Sequence, residues 1–472
     1  MEKWPQTIRL LGLGLVLSLV LLSGLAFAQD AEVPAIDTGD TAFMLVSAAL
    51  VLLMTPALAF FYGGLVRAKN ALNTMMMSFI ALGFVGVAWA LIGYTLSFTP
   101  GNPFFGSLRH AFMNGVGLTP EGVIWPVTIP HVLWVAYQGT FCIITAALIS
   151  GAIVERMRFA PYIAFITLWS IFVYAPLAHM VWGGGWLSAG GLFGDGFALD
   201  FAGGTVVHIN AAVAALVAVL VLGKRKDYGK QAILPHNVPF VLLGAGLLWF
   251  GWVGFNAGSA WSAGGIAGLA LTNTFFAPMA TLVVWTLLDF GRTKKATAVG
   301  AATAIVVGLV AVTPAAGFVS PMSAIIIGAI AAVPSYFGIL WRSRSGLDDS
   351  LDVVAAHGLG GITGALLTGV FANTALNSAG ANGLLYGNPG QFMIQLGAIA
   401  VAIVYSLVVS FVLLKIIGAI TPLSADSKAE GLGMDVTQHG EEAYTDGEGA
   451  VLIASSEAAR PMVAVKPAGS KA

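Results

Sequence analysis

Apolar stretches of about twenty residues recur along the chain, the length a helix needs to cross a bilayer. Cut at charges and turn residues, they fall at 41–66, 72–98, 130–154, 160–182, 202–223, 237–257, 263–290, 297–318, 321–341, 351–372 and 391–418. The pattern predicts eleven helical spans. Basic residues follow every second one. Arg67 and Lys69 come after the first span, and Arg156 and Arg158 after the third. Lys224, Arg225, Lys226 and Lys230 follow the fifth, Arg292, Lys294 and Lys295 the seventh, and Arg342 and Arg344 the ninth. The intervening loops hold only Arg109. Basic loops face the cytoplasm by the positive-inside rule. The N-terminus is therefore expected outside and the C-terminus inside.

The first residues read differently. Lys3 and Arg9 precede an apolar core, Leu10 to Leu22, which is short for a span, and Ala26-Phe27-Ala28 fits a small-x-small cleavage site. This predicts a secretory signal peptide over 1–28, cut before Gln29, and its removal agrees with an outside N-terminus. The spans then occupy 29–418, with spans one to five over about 41–223, six to ten over about 237–372 and the last over 391–418. From 419 to 472 the residues are charged and small, which predicts a cytoplasmic tail without a span.

Composition removes other classes. Hydrophobic residues make up 58% and charged ones 9%, against about 25% charged in a soluble domain. A soluble enzyme could not cover its surface with so few charges. A net charge of −1 with few Lys and Arg argues against nucleic acid as a partner. A single cysteine, Cys142, excludes a disulfide framework. The 59 glycines favour closely packed helices over a barrel. No H-E-x-x-H or G-x-S-x-G motif lies in the spans, so no enzyme and no catalytic residue is predicted.

Two segments match in spacing. Asp200 precedes His208 by eight residues at the start of the fifth span, and Asp349 precedes His357 by eight at the start of the tenth. An offset of five spans is odd, so the copies run in opposite directions: an inverted five-plus-five repeat. Eight residues at about 1.5 Å put each histidine about 12 Å deep, near the middle of a core about 30 Å thick. Asp200, Gly204 and His208 are expected to share one face of a helix, as are Asp349, Val353 and His357. Each Asp also suits an N-cap. The repeat axis would bring the two imidazoles together. A metal is not expected there, since zinc takes three or four ligands and these spans supply no further carboxylate or thiol.

These residues carry a resemblance. Ala178-His179-Met180-Val181-Trp182-Gly183-Gly184-Gly185 and Leu199 to Asn210 resemble the ammonium transporter family (Amt/MEP/Rh). So do Trp252 to Ser259 and Gln138-Gly139-Thr140-Phe141. Gly431 to Tyr444, with His439-Gly440-Glu441-Glu442-Ala443-Tyr444, resembles the cytoplasmic tail of the bacterial Amt branch. The resemblance runs from about 40 to 444. It implies an all-α polytopic fold of eleven transmembrane helices, one narrow pore per subunit, a homotrimer in the bilayer of a bacterial inner membrane, and nitrogen uptake as ammonium or ammonia, with methylammonium a further substrate. It implies no cofactor. A PII-type signal protein is an implied partner at the cytoplasmic face. The tail residue Thr437 resembles a regulatory phosphorylation position of some relatives.

The resemblance also assigns roles. Trp182, Phe141 and Ser259 match the outer ammonium site, and Phe141 with Phe255 the stacked pair that closes the pore. His208 and His357 match the twin pore histidines. Asp200, and Asp349 by the repeat, take a structural or recruiting role. Tyr137 stands one turn before Phe141, where many relatives have Phe. Its hydroxyl would add a contact at the outer site or reach the membrane interface. The connection from Trp182 to Asp200 is longer than in compact members, through Leu192 to Ala198, which alters the vestibule. Aromatic faces attract ammonium by about 0.5–2 kcal/mol each, and a serine oxygen accepts one N–H. An apolar pore then excludes the bare ion, so the cargo moves as ammonia. The alternatives are an ammonium sensor and a neutral Rh-like ammonia channel. Trp182 and the tail favour the Amt branch.

Overall fold

The chain's computed structural model describes residues 34–444. The expected signal peptide at 1–28 and the last tail residues, 445–472, lie outside them. Among the described residues the regular elements are helices, with no β-strand. Ten helices are long and apolar enough to cross a membrane. These are α1 (Thr38–Leu65), α2 (Ala68–Phe98), α3 (His131–Ile153), α4 (Phe159–Trp182), α5 (Gly204–Leu222), α6 (Val238–Ala260), α7 (Gly265–Thr293), α9 (Pro321–Ser345), α10 (Val354–Phe371) and α11 (Pro389–Ile420). Between α7 and α9 lies the shorter apolar helix α8 (Ala298–Val312).

The eighth expected span, 297–318, is thus a helix only as far as Val312. At about 1.5 Å per residue its fifteen residues cover about 22 Å, less than a bilayer core. Pro314 explains the stop, because its ring clashes with the preceding turn and it has no N–H to donate. The freed segment is used elsewhere. The carbonyl of Pro314 accepts from the Phe201 amide at 3.1 Å, and Thr313 Oγ1 accepts from Trp252 Nε1 at 2.9 Å.

Close helix packing follows from small residues. A Cβ on Gly244 of α6 would stand 2.3 Å from the backbone nitrogen of Phe61 on α1, and one on Gly364 of α10 would stand 2.1 Å from the Ala311 carbonyl on α8. No side chain fits at either place. Hydrophobic surface gives little drive for helix association in lipid, so such backbone contact is what holds spans together.

The linkers after α1, α3, α5 and α9 meet on one side of the bundle, here called the basic face. Arg67 Nε lies 3.1 Å from Glu155, and Arg67 Nη1 lies 2.7 Å from Asp227. Arg225 bridges Glu155 at 2.8 Å and Asp348 at 2.6 Å. Arg156 reaches Asp348 at 3.3 Å. Alternate loops gathered on one side are what an alternating chain of spans requires.

Burial raises the Glu155 carboxyl, but Arg225 and Arg67 lower it by more, leaving it below its ordinary 4.5. A group with a depressed folded-state value stabilises above its unfolded value and loses that contribution as pH falls through the folded one. Glu155→Gln is therefore expected to lower the unfolding temperature of the purified protein at neutral pH. The gap to wild type should close as pH falls below about 4.5. Melting curves that stay parallel across this range would sink the expectation.

The described part of the tail, expected only to lack a span, is folded against the basic face. Two short helices, α12 (Ser427–Leu432) and α13 (Met434–His439), lie there. The Asp435 carboxylate accepts from the amides of Leu72 and Asn73 at 3.0 and 2.7 Å, which caps the start of α2. Glu430 accepts from the Lys226 amide at 2.8 Å. The Thr437 hydroxyl donates to the Gly433 carbonyl in its own helix at 2.8 Å.

Candidate functional site

Each repeat copy begins with a carboxylate set beneath a helix. The Asp200 carboxylate accepts from the amides of Gly203, Gly204, Thr205 and Val206 at 2.6–3.0 Å. Gly203 takes φ 117°, where a side chain is strained. Asp349 accepts from Val353 and Val354 at 3.2 and 2.8 Å. The first turn of α5 (Gly204–Ile209) and that of α10 (Val354–Leu359) are both π-helical, and they carry His208 and His357.

The expectation that Asp and His share one face of an α-helix is corrected here. Asp200 and Asp349 precede their helices. A carboxylate that takes the orphan amides of a first turn sits below the turn rather than along its side. The capping role was legible, but the wide turn was not.

The two histidines meet. Nδ1 of His208 lies 3.3 Å from Nδ1 of His357, with ring centroids 5.3 Å apart. They are 1% and 3% exposed. One Nδ1 must donate and the other accept, so the two neutral rings hold different tautomers. Nε2 of His208 is buried with no hydrogen-bond partner among the described residues. The His208 ring also stacks on Trp252, with centroids 5.4 Å apart. A cavity of about 10 Å³, enough for about one water, is lined by both histidines, Trp252, Phe255 and aliphatic side chains.

Phe141 and Phe255 stack at 4.1 Å between centroids. Phe255 lines the small cavity, and Phe141 lines a vestibule of about 330 Å³ on its other side. Trp182, Ser259, Gln138 and Asp200 share that vestibule. Trp182 is fixed by donating Nε1 to the Asp200 carbonyl at 2.7 Å. Ser259 donates to the Phe255 carbonyl at 2.9 Å, which leaves its oxygen able to accept. Beyond the histidines a second cavity, of about 190 Å³, is lined by His357, Tyr62, Arg342 and Asp352. Vestibule, phenyl pair, histidine pair and second cavity thus succeed one another.

Tyr137 is placed differently from the other outer residues. It is fully buried and does not line the vestibule. Its hydroxyl donates to the carbonyls of Gly254 and Phe255 at 3.0 and 3.1 Å and lies 3.3 Å from Ser259 Oγ. It braces the Ser259 turn from behind and reaches neither solvent nor interface.

Sequence reasoning missed Trp125, Trp261, Phe201 and Phe318, which also line the vestibule, and Trp252 beside His208. Trp252 stands three residues before Phe255, so helical spacing could have found it. The others come from loops far apart in the chain, and no local pattern links them. Among the described residues no group of three or more His, Cys, Asp or Glu is placed to hold a metal ion.

Residues 42–444 match the family described as Ammonium Transporter Family. The ammonium transporter of Bacillus subtilis (strain 168) is 48% identical over 409 residues, which cover 86% of this chain and 99% of that protein. That of Aquifex aeolicus is 47% identical over 434 residues, 92% of this chain and 98% of the relative. The crystal structure of Saccharomyces cerevisiae Mep2 superposes with a TM-score of 0.75 at 34% identity, covering 84% of this chain and 91% of that one. The solved structure described as "Sensor Amt Protein" gives 0.77 at 26%, covering 85% and 98%. With the helices, the buried histidine pair and the aromatic vestibule on one chain, this multi-pass membrane protein belongs to the ammonium transporter family.

Proposed function

We propose that the chain takes ammonium at the aromatic vestibule, strips one proton and passes ammonia along the histidine pair. The observation that carries this is the buried contact between His208 and His357 directly behind the stacked phenyl rings. Trp182 and Phe141 offer ring faces to the cation. Ser259 offers an acceptor, which ammonium can use and potassium cannot. Past Phe255 the walls are almost wholly apolar, so a charge would be very costly there. The unpartnered His208 Nε2 is a polar atom for ammonia to meet.

Alternate basic loops support an orientation with the vestibule outside and the basic face in the cytoplasm. An inner-membrane location, a cleaved signal peptide, a homotrimer, methylammonium as a second substrate and a PII-type partner at the basic face belong to this reading through the family resemblance.

The test is uptake and current in proteoliposomes under ammonium and potassium pulses, for wild type and for His208→Ala/His357→Ala. Wild type should take up ammonium and exclude potassium. Two lost hydrogen bonds at about 0.5–1.5 kcal/mol each correspond to about ten-fold in selectivity, so the variant should lose ammonium uptake or admit potassium on that scale. A variant equal to wild type in both would refute the role of the pair. Wild-type protein with neither uptake nor current would favour sensing.

A further inference from the structure

The vestibule is larger than ammonium needs. Its volume of about 330 Å³ compares with about 10–15 Å³ for one water on the same measure, and water is close to ammonium in size. Much of the surplus is walled by rings other than Phe141 and Trp182. Trp125 is 40% exposed, and its ring lies 5.3 Å from that of Trp261. Trp261 rests in turn on buried Trp134 at 4.8 Å. Two further lining rings, Phe201 and Phe318, meet edge to face at 5.4 Å. Among the described residues no lysine or arginine lines the space, and Asp200 is the one carboxylate that does. Four backbone amides take it up. Such a box suits a large, weakly hydrated cation that has no N–H to share.

The rim is held in place. The Asp40 carboxylate, near the start of α1, accepts from the Thr128 hydroxyl and from the Ala263 amide, the latter at 2.7 Å. It thereby ties together the loops that carry Trp125 and Trp261. Trp125 Nε1 donates to the Trp182 carbonyl at 3.0 Å. Trp261 takes φ 59°, a left-handed conformation that a bulky residue adopts only when its surroundings enforce it.

We propose that Trp125, Trp261, Phe201 and Phe318 form a second cation site in the vestibule, for tetra-alkylated ammonium ions, beside the position of Phe141, Trp182 and Ser259. Tetramethylammonium spreads its charge over methyl groups, which pack against ring faces. It has no proton to lose, so it stops at the phenyl pair and competes with ammonium. The competition rests on the proposed inlet through this vestibule, whereas the binding does not.

The probe is tetramethylammonium chloride. It is titrated calorimetrically into the purified full-length protein, and added as an inhibitor of ammonium uptake in proteoliposomes, with potassium chloride as control. Wild type should give a saturable heat and competitive inhibition, and potassium chloride no heat. Trp125→Ala should weaken binding by about ten-fold, and Trp125→Phe, which keeps a ring, by about three-fold or less. Phe318→Ala reads the second ring pair if Trp125→Ala does not fold. No saturable heat in wild type, or equal binding by wild type and both alanine variants, overturns the site. Ring-dependent binding without competition keeps the site and goes against the inlet.

Discussion

Replacing Arg225 by methionine is expected to destabilise the protein by about 3–5 kcal/mol, the cost of breaking a buried ion pair by removing one partner. Arg225 is 5% exposed. Its Nε and Nη2 contact both oxygens of Asp348 at 2.6–3.1 Å, and its Nη1 contacts Glu155 at 2.8 Å. Without the guanidinium Asp348 keeps Arg156 at 3.3 Å and the backbone amide of residue 225 at 2.7 Å, and stands buried with most of its charge uncompensated. The fold cannot answer by opening, because four linkers meet there. Arg225→Lys keeps the charge but loses the planar fork, so it should recover only part of the loss. The measurement is thermal unfolding of the detergent-solubilised protein. A fall of about 3–5 °C is expected for Arg225→Met, because a chain of 472 residues has an unfolding entropy of about 1 kcal/mol/K. Loss below 2 °C would show that the network is not coupled to the core. Transport should suffer too, since Asp348 adjoins Asp349, which seats the first turn of α10 beneath His357.

Asp200→Ala is expected to cost about 3 kcal/mol or more and to abolish most uptake. Its carboxylate serves four amides. A buried donor left without an acceptor costs about 1–3 kcal/mol, and all four of these residues are buried. Asp200→Asn keeps one oxygen but turns an NH₂ toward two of the amides, so it should fall between wild type and alanine. Trp182 donates to the backbone carbonyl of residue 200, which both variants keep, so uptake suffers there only as far as the unseated 200–206 segment shifts that carbonyl. Unfolding temperature and ammonium uptake should fall together, in the order wild type, asparagine, alanine. An alanine variant with wild-type uptake would overturn the seating of α5 by this carboxylate.

Legibility follows the range of the forces involved. Span positions were readable because an apolar run records burial in lipid residue by residue. The eighth failed at Val312 because Pro314 turned an apolar segment into a turned connection packed beside Phe201. The histidine pair was readable because a repeat doubles a local signal, as with His208 and His357. Phe141, Trp182 and Ser259 came through resemblance, and the vestibule brings them together. Of the two expectations for Tyr137 the interface one fails, because its hydroxyl points at the backbone of 254–255 and at Ser259, and composition does not tell which way a hydroxyl points. Trp125 and Trp261 were invisible because Asp40, far from both in sequence, decides where they meet. The tail helices escaped notice because tertiary partners, chiefly Leu72, Asn73 and Lys226, supply their stability.

The paired π turns bear on which insertions and deletions this chain can accept. A π turn closes on residue i+5 rather than i+4, so it holds an extra residue for nearly the same climb. That residue sets the helical phase of everything on one side of it, by about 100°. Both histidines lie in such a turn, so both carry the same offset. Deleting one residue from a single turn would leave an intact α-helix and yet swing one imidazole away from the other. The helix would survive and the pair would not. A length change at either 204–209 or 354–359 is therefore expected to break the pair even where the helix itself survives.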